Sequence, residues 1–150
     1  MRAVIQRVSS SEVRINKEIV DTIGFGLNVL LGIKEDDTEA DMNYIIHKLI
    51  HLRIFEDDDG KMNQSILEVD GEILLVSQFT LYGDCRKGRR PGFSRSGPVD
   101  EAQKKYDVFV EKLRLEPLKK VATGVFQAEM EVRIINDGPV TLLLDSEKQF

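Results

Sequence analysis

Hydrophobic and polar residues alternate over positions 1–8 in the manner of a β-strand. The stretch EVRINKEIV, 12–20, reads as a hairpin turning near Asn16-Lys17. GFG at 24–26 leads into LNVLLGI, a continuous apolar run of the kind found in strands buried on both faces. From Thr38 the period changes. Thr38-Glu39-Ala40-Asp41 matches a capping box, and Met42, Ile45, Ile46, Leu49 and Leu52 follow at helical spacing. LRIFEDDDGKMN, 52–63, predicts a short strand and an Asp-Gly turn, and GEILLVSQF, 71–79, another buried strand. Residues 81–100 carry no period and are rich in Gly, Arg, Ser and Pro; a loop of that length in a small domain is usually functional or disordered. A second helix is expected from about Asp100, with Ala102, Tyr106, Phe109 and Leu113 on one face. GVFQAEMEVRII, 124–135, alternates strictly and predicts a strand with Phe126, Ala128, Met130, Val132 and Ile134 on one face. Asp137-Gly138 is a tight-turn signal, after which VTLLLD should return as the last strand. Pro139 fits only a strand's first residue, an edge or an irregularity. Strands with two amphipathic helices make a mixed α/β layered domain.

Composition narrows the class. A chain of 150 residues is sized for one domain, and no apolar run is long enough to span a bilayer. The first residues lack the apolar core of a signal peptide, and the single cysteine, Cys85, fits a reducing compartment, so a cytoplasmic location without membrane contact is expected. The net charge of −5 argues against indiscriminate nucleic-acid binding, yet CRKGRRPGFSR, 85–95, holds five cations and no acid.

Familiar catalytic equipment is missing. His47 and His51 stand four apart on the first predicted helix, facing away from its apolar side, and no Glu follows His47 as the zinc-protease motif requires. No serine triad can be assembled from them. EDDDGKMNQSILE fails the calcium-loop register because Phe55 takes the first ligand position. Neither a P-loop nor GxGxxG occurs. Cys85 has basic neighbours but no adjacent histidine. What remains is the end of a buried strand, Ser77-Gln78-Phe79-Thr80, with hydroxyls, an amide and backbone N–H groups. Such an end suits a ligand and an oxyanion, and equally suits local side-chain-to-backbone bonds.

Ser77-Gln78-Phe79-Thr80 and Asn136-x-Gly138-Pro139-x-Thr141 together resemble the signature pair of the D-aminoacyl-tRNA deacylases. IQRV, RIFEDDDGKMN, SQFTL, RRPGFS and NDGPVT come in that family's order along essentially the whole chain. The resemblance implies one domain over residues 1–150: a β/β/α layered sandwich with a barrel-like sheet packed on two main helices, in a homodimer. It implies hydrolysis of the ester joining a D-amino acid, or glycine mischarged on tRNA(Ala), to the terminal adenosine of tRNA, with neither cofactor nor metal. Thr80, Phe79, Gln78 and Ser77 become the catalytic set, with the Phe79 and Thr80 N–H groups as oxyanion donors and Thr80 as a positioning group rather than a nucleophile. Gly138 and Pro139, joined by a cis peptide, are expected to enter the partner's pocket, hold the α-amino group and exclude an L side chain. Phe126 and Met130 are read as an adenine wall or as core, and Arg86, Lys87, Arg89 and Arg90 as contacts to the tRNA backbone. Two readings of another class compete: a non-catalytic RNA-binding module, with Phe93 as a stacking ring, and a thiol hydrolase using Cys85.

Overall fold

The first strand sets the architecture. In the computed structural model, which describes residues 1–149, the N-terminal residues form one long strand, β1 (Arg2–Ile15), whose alternation slips at Arg7-Val8 and Ser9-Ser10. Phe150, last residue of the expected domain, lies outside the described residues. One edge of β1 pairs antiparallel with β8 (Glu131–Asp145) from end to end. Its other edge takes β3 (Gly26–Gly32) along Arg2–Val8 and β2 (Glu18–Ile23) along Ser11–Ile15. The β1–β2 turn has Asn16 and Lys17 at φ 52° and 70°, the pair of positive values that a two-residue hairpin demands. Beyond β3 come two parallel neighbours, β6 (Glu72–Ser77) and β7 (Lys120–Thr123), giving the order β2-β1-β3-β6-β7 with β8 on β1. At Gly26 an added Cβ would lie 1.9 Å from the Glu72 carbonyl oxygen, so only glycine lets β3 meet β6 at that register.

The sheet nearly closes on itself. Lys120 on β7 donates to the Asp21 carboxylate at 2.8 Å and to the Thr22 carbonyl at 2.6 Å, and the Thr123 N–H reaches Asp21 at 3.2 Å. Side chains thus join the β2 and β7 edges where no backbone ladder does, and the result is a barrel-like sheet in a mixed α/β fold.

Helices cover it. α1 (Glu39–His51) begins with the expected box: the Thr38 N–H donates to Asp41 at 2.8 Å, and the Asp41 N–H to the Thr38 hydroxyl at 3.4 Å. Its apolar face, Met42, Ile45, Ile46, Leu49 and Ile50, is buried. α2 (Val99–Arg114) buries Tyr106, Phe109, Val110 and Leu113, and the Tyr106 hydroxyl donates to the Leu75 carbonyl at 2.9 Å. Burial holds that phenol protonated, with its pKa pushed up. The short pair β4 (Phe55–Glu56) and β5 (Met62–Gln64) forms a separate ribbon around the Asp-Gly turn, where Gly60 has φ +74°.

Three segments differ from the sequence reading. β7 carries no alternation of its own, and no local pattern marks it as a strand. The alternation over 124–134 does not make a strand before Glu131. Gly124 bonds to Leu75, the last ladder residue of β6 there, and with no further partner the chain turns at Val125–Ala128, with Gln127 at φ +63°. Finally, Asp137-Gly138 is not a hairpin. Val8 pairs with Asn136 and Gln6 with Thr141, so Asp137–Val140 bulges out opposite Arg7 alone and β8 continues on the same partner.

Candidate active site

β3 and β6 run parallel, and their C-terminal ends open together into a cavity of about 620 Å³. Ends of parallel strands are natural ligand sites because side chains and backbone N–H groups diverge there from the ladder. Leu31, Val76, Ser77 and Gln78 form the floor. One wall is Phe126, Gln127, Ala128 and Met130 of the β7–β8 connection with Val132; the other is Phe93, Ser96 and Gly97 with Val99 and Ala102 at the start of α2. Phe126 and Met130 therefore lie in the connection before β8, not on one strand face, and both line the cavity with Ser77. Phe126 also contacts Tyr106, with ring centroids 5.7 Å apart.

After Gln78 the chain enters a 3-10 turn, Phe79–Tyr82. The turn's first backbone bond is from the Leu81 N–H to the Gln78 carbonyl, 3.3 Å, and Gln78 provides no side-chain cap. The N–H groups of Phe79 and Thr80 open the turn and so have no acceptor within it. Phe79 is 58% exposed at the rim, edge-on to Phe93 with centroids 5.2 Å apart. Thr80 lies one step outside the cavity lining, and its hydroxyl accepts from the Gln78 amide at 2.5 Å. Among the described residues that line the cavity, none carries a titratable side chain.

Gly138 and Pro139 sit apart from this cavity, exposed on the bulge of β8. Their peptide bond is cis. The base of the bulge is tied by Asn136, whose amide donates to the Arg7 carbonyl at 2.8 Å and the Val140 carbonyl at 3.0 Å while its oxygen accepts from Thr141 at 3.1 Å. Arg7, 5% exposed, braces the side: it donates to the Ile54 carbonyl at 2.9 Å and lies 3.0 Å from Asp137 and 3.6 Å from Glu56. Gly138 has φ +114°, and a Cβ there would stand 2.8 Å from Val140 Cγ2 and 3.1 Å from Arg7 Nη2. No local pattern marks Arg7, whose partners lie some fifty and more than a hundred residues away.

The cationic stretch is a loop closed at its base by Asp84 and Gly92, whose N–H and C=O groups bond each other at 2.7 and 2.9 Å. Arg86 is held by Asp84 through bonds of 2.8 and 2.7 Å, and this guanidinium keeps the carboxyl well below the usual carboxylate range. Lys87, Arg89 and Arg90 project from the exposed tip. Cys85 is exposed at the same base. His47 and His51 lie with ring centroids 4.5 Å apart, tilted at 55°, on the exposed face of α1 and outside the cavity lining.

A family model described as D-Tyr-tRNA(Tyr) deacylase matches residues 4–145. A protein of Thermosipho melanesiensis named D-aminoacyl-tRNA deacylase is 57% identical over the full length of both chains. One of the same name from Clostridium botulinum (strain Langeland) is 56% identical, again over the full length of both. Among solved structures, one described as the c-Myc DNA unwinding element binding protein superposes with a TM-score of 0.92 at 41% identity, covering 97% of this chain and 98% of that one.

Proposed function

This chain belongs to the D-Tyr-tRNA(Tyr) deacylase family and is a D-aminoacyl-tRNA deacylase, and from that premise we propose how its cavity works. The 3′-terminal adenosine of a charged tRNA enters between the Phe126–Met130 wall and the Phe79–Phe93 rim. The ester carbonyl meets the Phe79 and Thr80 N–H groups, which stabilise the oxyanion of the tetrahedral intermediate. The observation that carries the chemistry is the uncapped turn beside a lining without any acid or base. A hydrolase with no side-chain base must draw the proton relay from its substrate, and the ribose 2′-hydroxyl, adjacent to the ester, is placed for it. Water attacks the carbonyl carbon, and the C–O bond to the ribose breaks. The amino acid leaves as its carboxylate and the tRNA regains its hydroxyl. Thr80, bonded to Gln78, orients the turn rather than attacking.

Chirality is read from outside the chain. Gly138 and Pro139 are exposed and line no part of their own cavity, so we place them in the cavity of a second copy, in a homodimer in the cytoplasm. Their carbonyls accept from the α-amino group and occupy the volume an L side chain needs, while D-amino acids and glycine fit. The tip cations grip the RNA backbone. A cationic tip would hold DNA as well, as the name of the structural relative invites, but a DNA strand has no 2′-hydroxyl and carries no aminoacyl ester.

The test is hydrolysis of D- and L-tyrosyl-tRNA side by side, and of D-tyrosyl-tRNA ending in 2′-deoxyadenosine. The D-substrate should turn over, the L-substrate should not, and the deoxy substrate should bind yet react orders of magnitude more slowly. Equal rates on D and L refute the chiral reading; normal turnover of the deoxy substrate refutes the substrate-assisted step.

A further inference from the structure

The segment that follows the cationic loop does more than form a wall. The Ser96 hydroxyl donates to the Phe79 carbonyl at 3.3 Å. That oxygen belongs to the same planar peptide as the Thr80 N–H, so fixing one end of the unit fixes the direction of the other. A donor on the carbonyl also polarises the unit and strengthens its N–H as a donor.

We propose that Ser96 is a positioning residue for the deacylation step, aligning and polarising the Phe79–Thr80 peptide so that its N–H meets the developing oxyanion. The proposal rests on the reading of that N–H as an oxyanion donor. Ser96 is itself held from several sides. Its N–H donates to the Phe93 carbonyl at 3.1 Å, and the next residue, Gly97, donates to the Ile33 carbonyl at 3.4 Å, at the end of β3. Gly97 packs so closely on the chain that its Cβ would lie 3.0 Å from the Glu35 nitrogen. Phe93, from the same segment, meets the Phe79 ring. The hydroxyl is thus delivered from an anchored stretch onto a turn that has no cap of its own.

A group that acts by aligning an oxyanion donor stabilises the transition state more than the bound ester, so its loss appears in kcat and not in KM. Removing an oxyanion donor outright costs about 10²–10³ in rate; losing only its alignment should cost about tenfold. With D-tyrosyl-tRNA, Ser96→Ala should lower kcat about tenfold with KM within twofold and the D/L ratio unchanged. Ser96→Thr, which keeps the hydroxyl, should restore the rate, and Ser96→Cys, a weaker donor of similar volume, should fall between. Should the alanine variant not fold, Thr against Cys decides the same point. An active wild type whose Ser96→Ala variant keeps its kcat, or loses it without rescue by Thr, or changes only in KM, overturns the role of Ser96 alone. A wild type inert on D-tyrosyl-tRNA overturns the reading of the site and this role with it.

Discussion

At the scale of single residues, the bulge of β8 depends on a position where a side chain has no room. Gly138 combines φ +114° with a Cβ path blocked by Val140 and Arg7. Gly138→Val adds a β-branched group to a backbone region that L residues avoid, a strain of about 1–3 kcal/mol. The variant should fold with a lowered Tm and lose at least a hundredfold in D-tyrosyl-tRNA hydrolysis, measured at saturating enzyme. Full activity would show that the bulge is not part of the site. Cys85 offers the opposite case. It is exposed and outside the cavity lining, so Cys85→Ala should change kcat/KM less than twofold; a tenfold loss would revive a thiol mechanism.

At the scale of elements, α1 is pinned by its first turn. Burial of Asp41 opposes its ionisation, but hydrogen bonds from the Thr38 hydroxyl, the Ser146 hydroxyl and the Thr38 N–H outweigh it and hold the carboxyl down to about 2. A carboxylate with a depressed folded pKa contributes stability above its unfolded value, near 4, and loses it as pH falls toward 2. Thr38→Ala should lower stability by about 1 kcal/mol at neutral pH, the usual worth of such a cap. In denaturant titrations the deficit should shrink between pH 4 and pH 2; a constant deficit would mean that Asp41 is not involved. This helix was legible in the sequence because its signals and partners lie within one turn of each other. The β1–β2 hairpin was legible for the same reason. The end of the chain was not. Whether Asp137-Gly138-Pro139-Val140 makes a hairpin or a bulge is decided by Arg7 and the β1 register, which no local pattern contains. The alternation at 124–134 likewise misleads because the β6–β7 ladder stops at Leu75 and Thr123, while Phe126, Ala128, Met130 and Val132 line the cavity. Ser77 to Phe79 line the cavity at the strand end the motif marks, whereas Ser96, in a stretch without period, reaches that cavity only in three dimensions.

At the scale of the whole molecule, the proposed RNA grip and the proposed chiral selection should be separable. With Arg86 engaged by Asp84, the tip offers Lys87, Arg89 and Arg90, and log K should fall with log salt at a slope near −2, about −0.7 per single-strand contact. Charge reversal of these residues should flatten the slope and weaken D- and L-charged tRNA alike. The exchange of fingers between subunits is tested by mixing Gly138→Val with Thr80→Ala chains, once each homodimer proves impaired. A heterodimer then holds one site with both defects and one with neither, and should recover about half the wild-type activity per dimer. No recovery, with exchange confirmed, would place Gly138-Pro139 in its own subunit's site. The pairing of β1 with β8 also fixes an order in time. On the ribosome, β1 emerges well before its full-length partner β8, so one long edge waits while the strands and helices between them are made. Synthesis proceeds at roughly 5–20 residues per second, which leaves that edge open for seconds, and an open edge invites pairing with other chains. Neither the wall at Met130 and Val132 nor the bulge exists until β8 docks. A nascent chain can therefore stick to its neighbours before it can edit a tRNA, and chaperone depletion should cost this protein solubility before it costs specific activity.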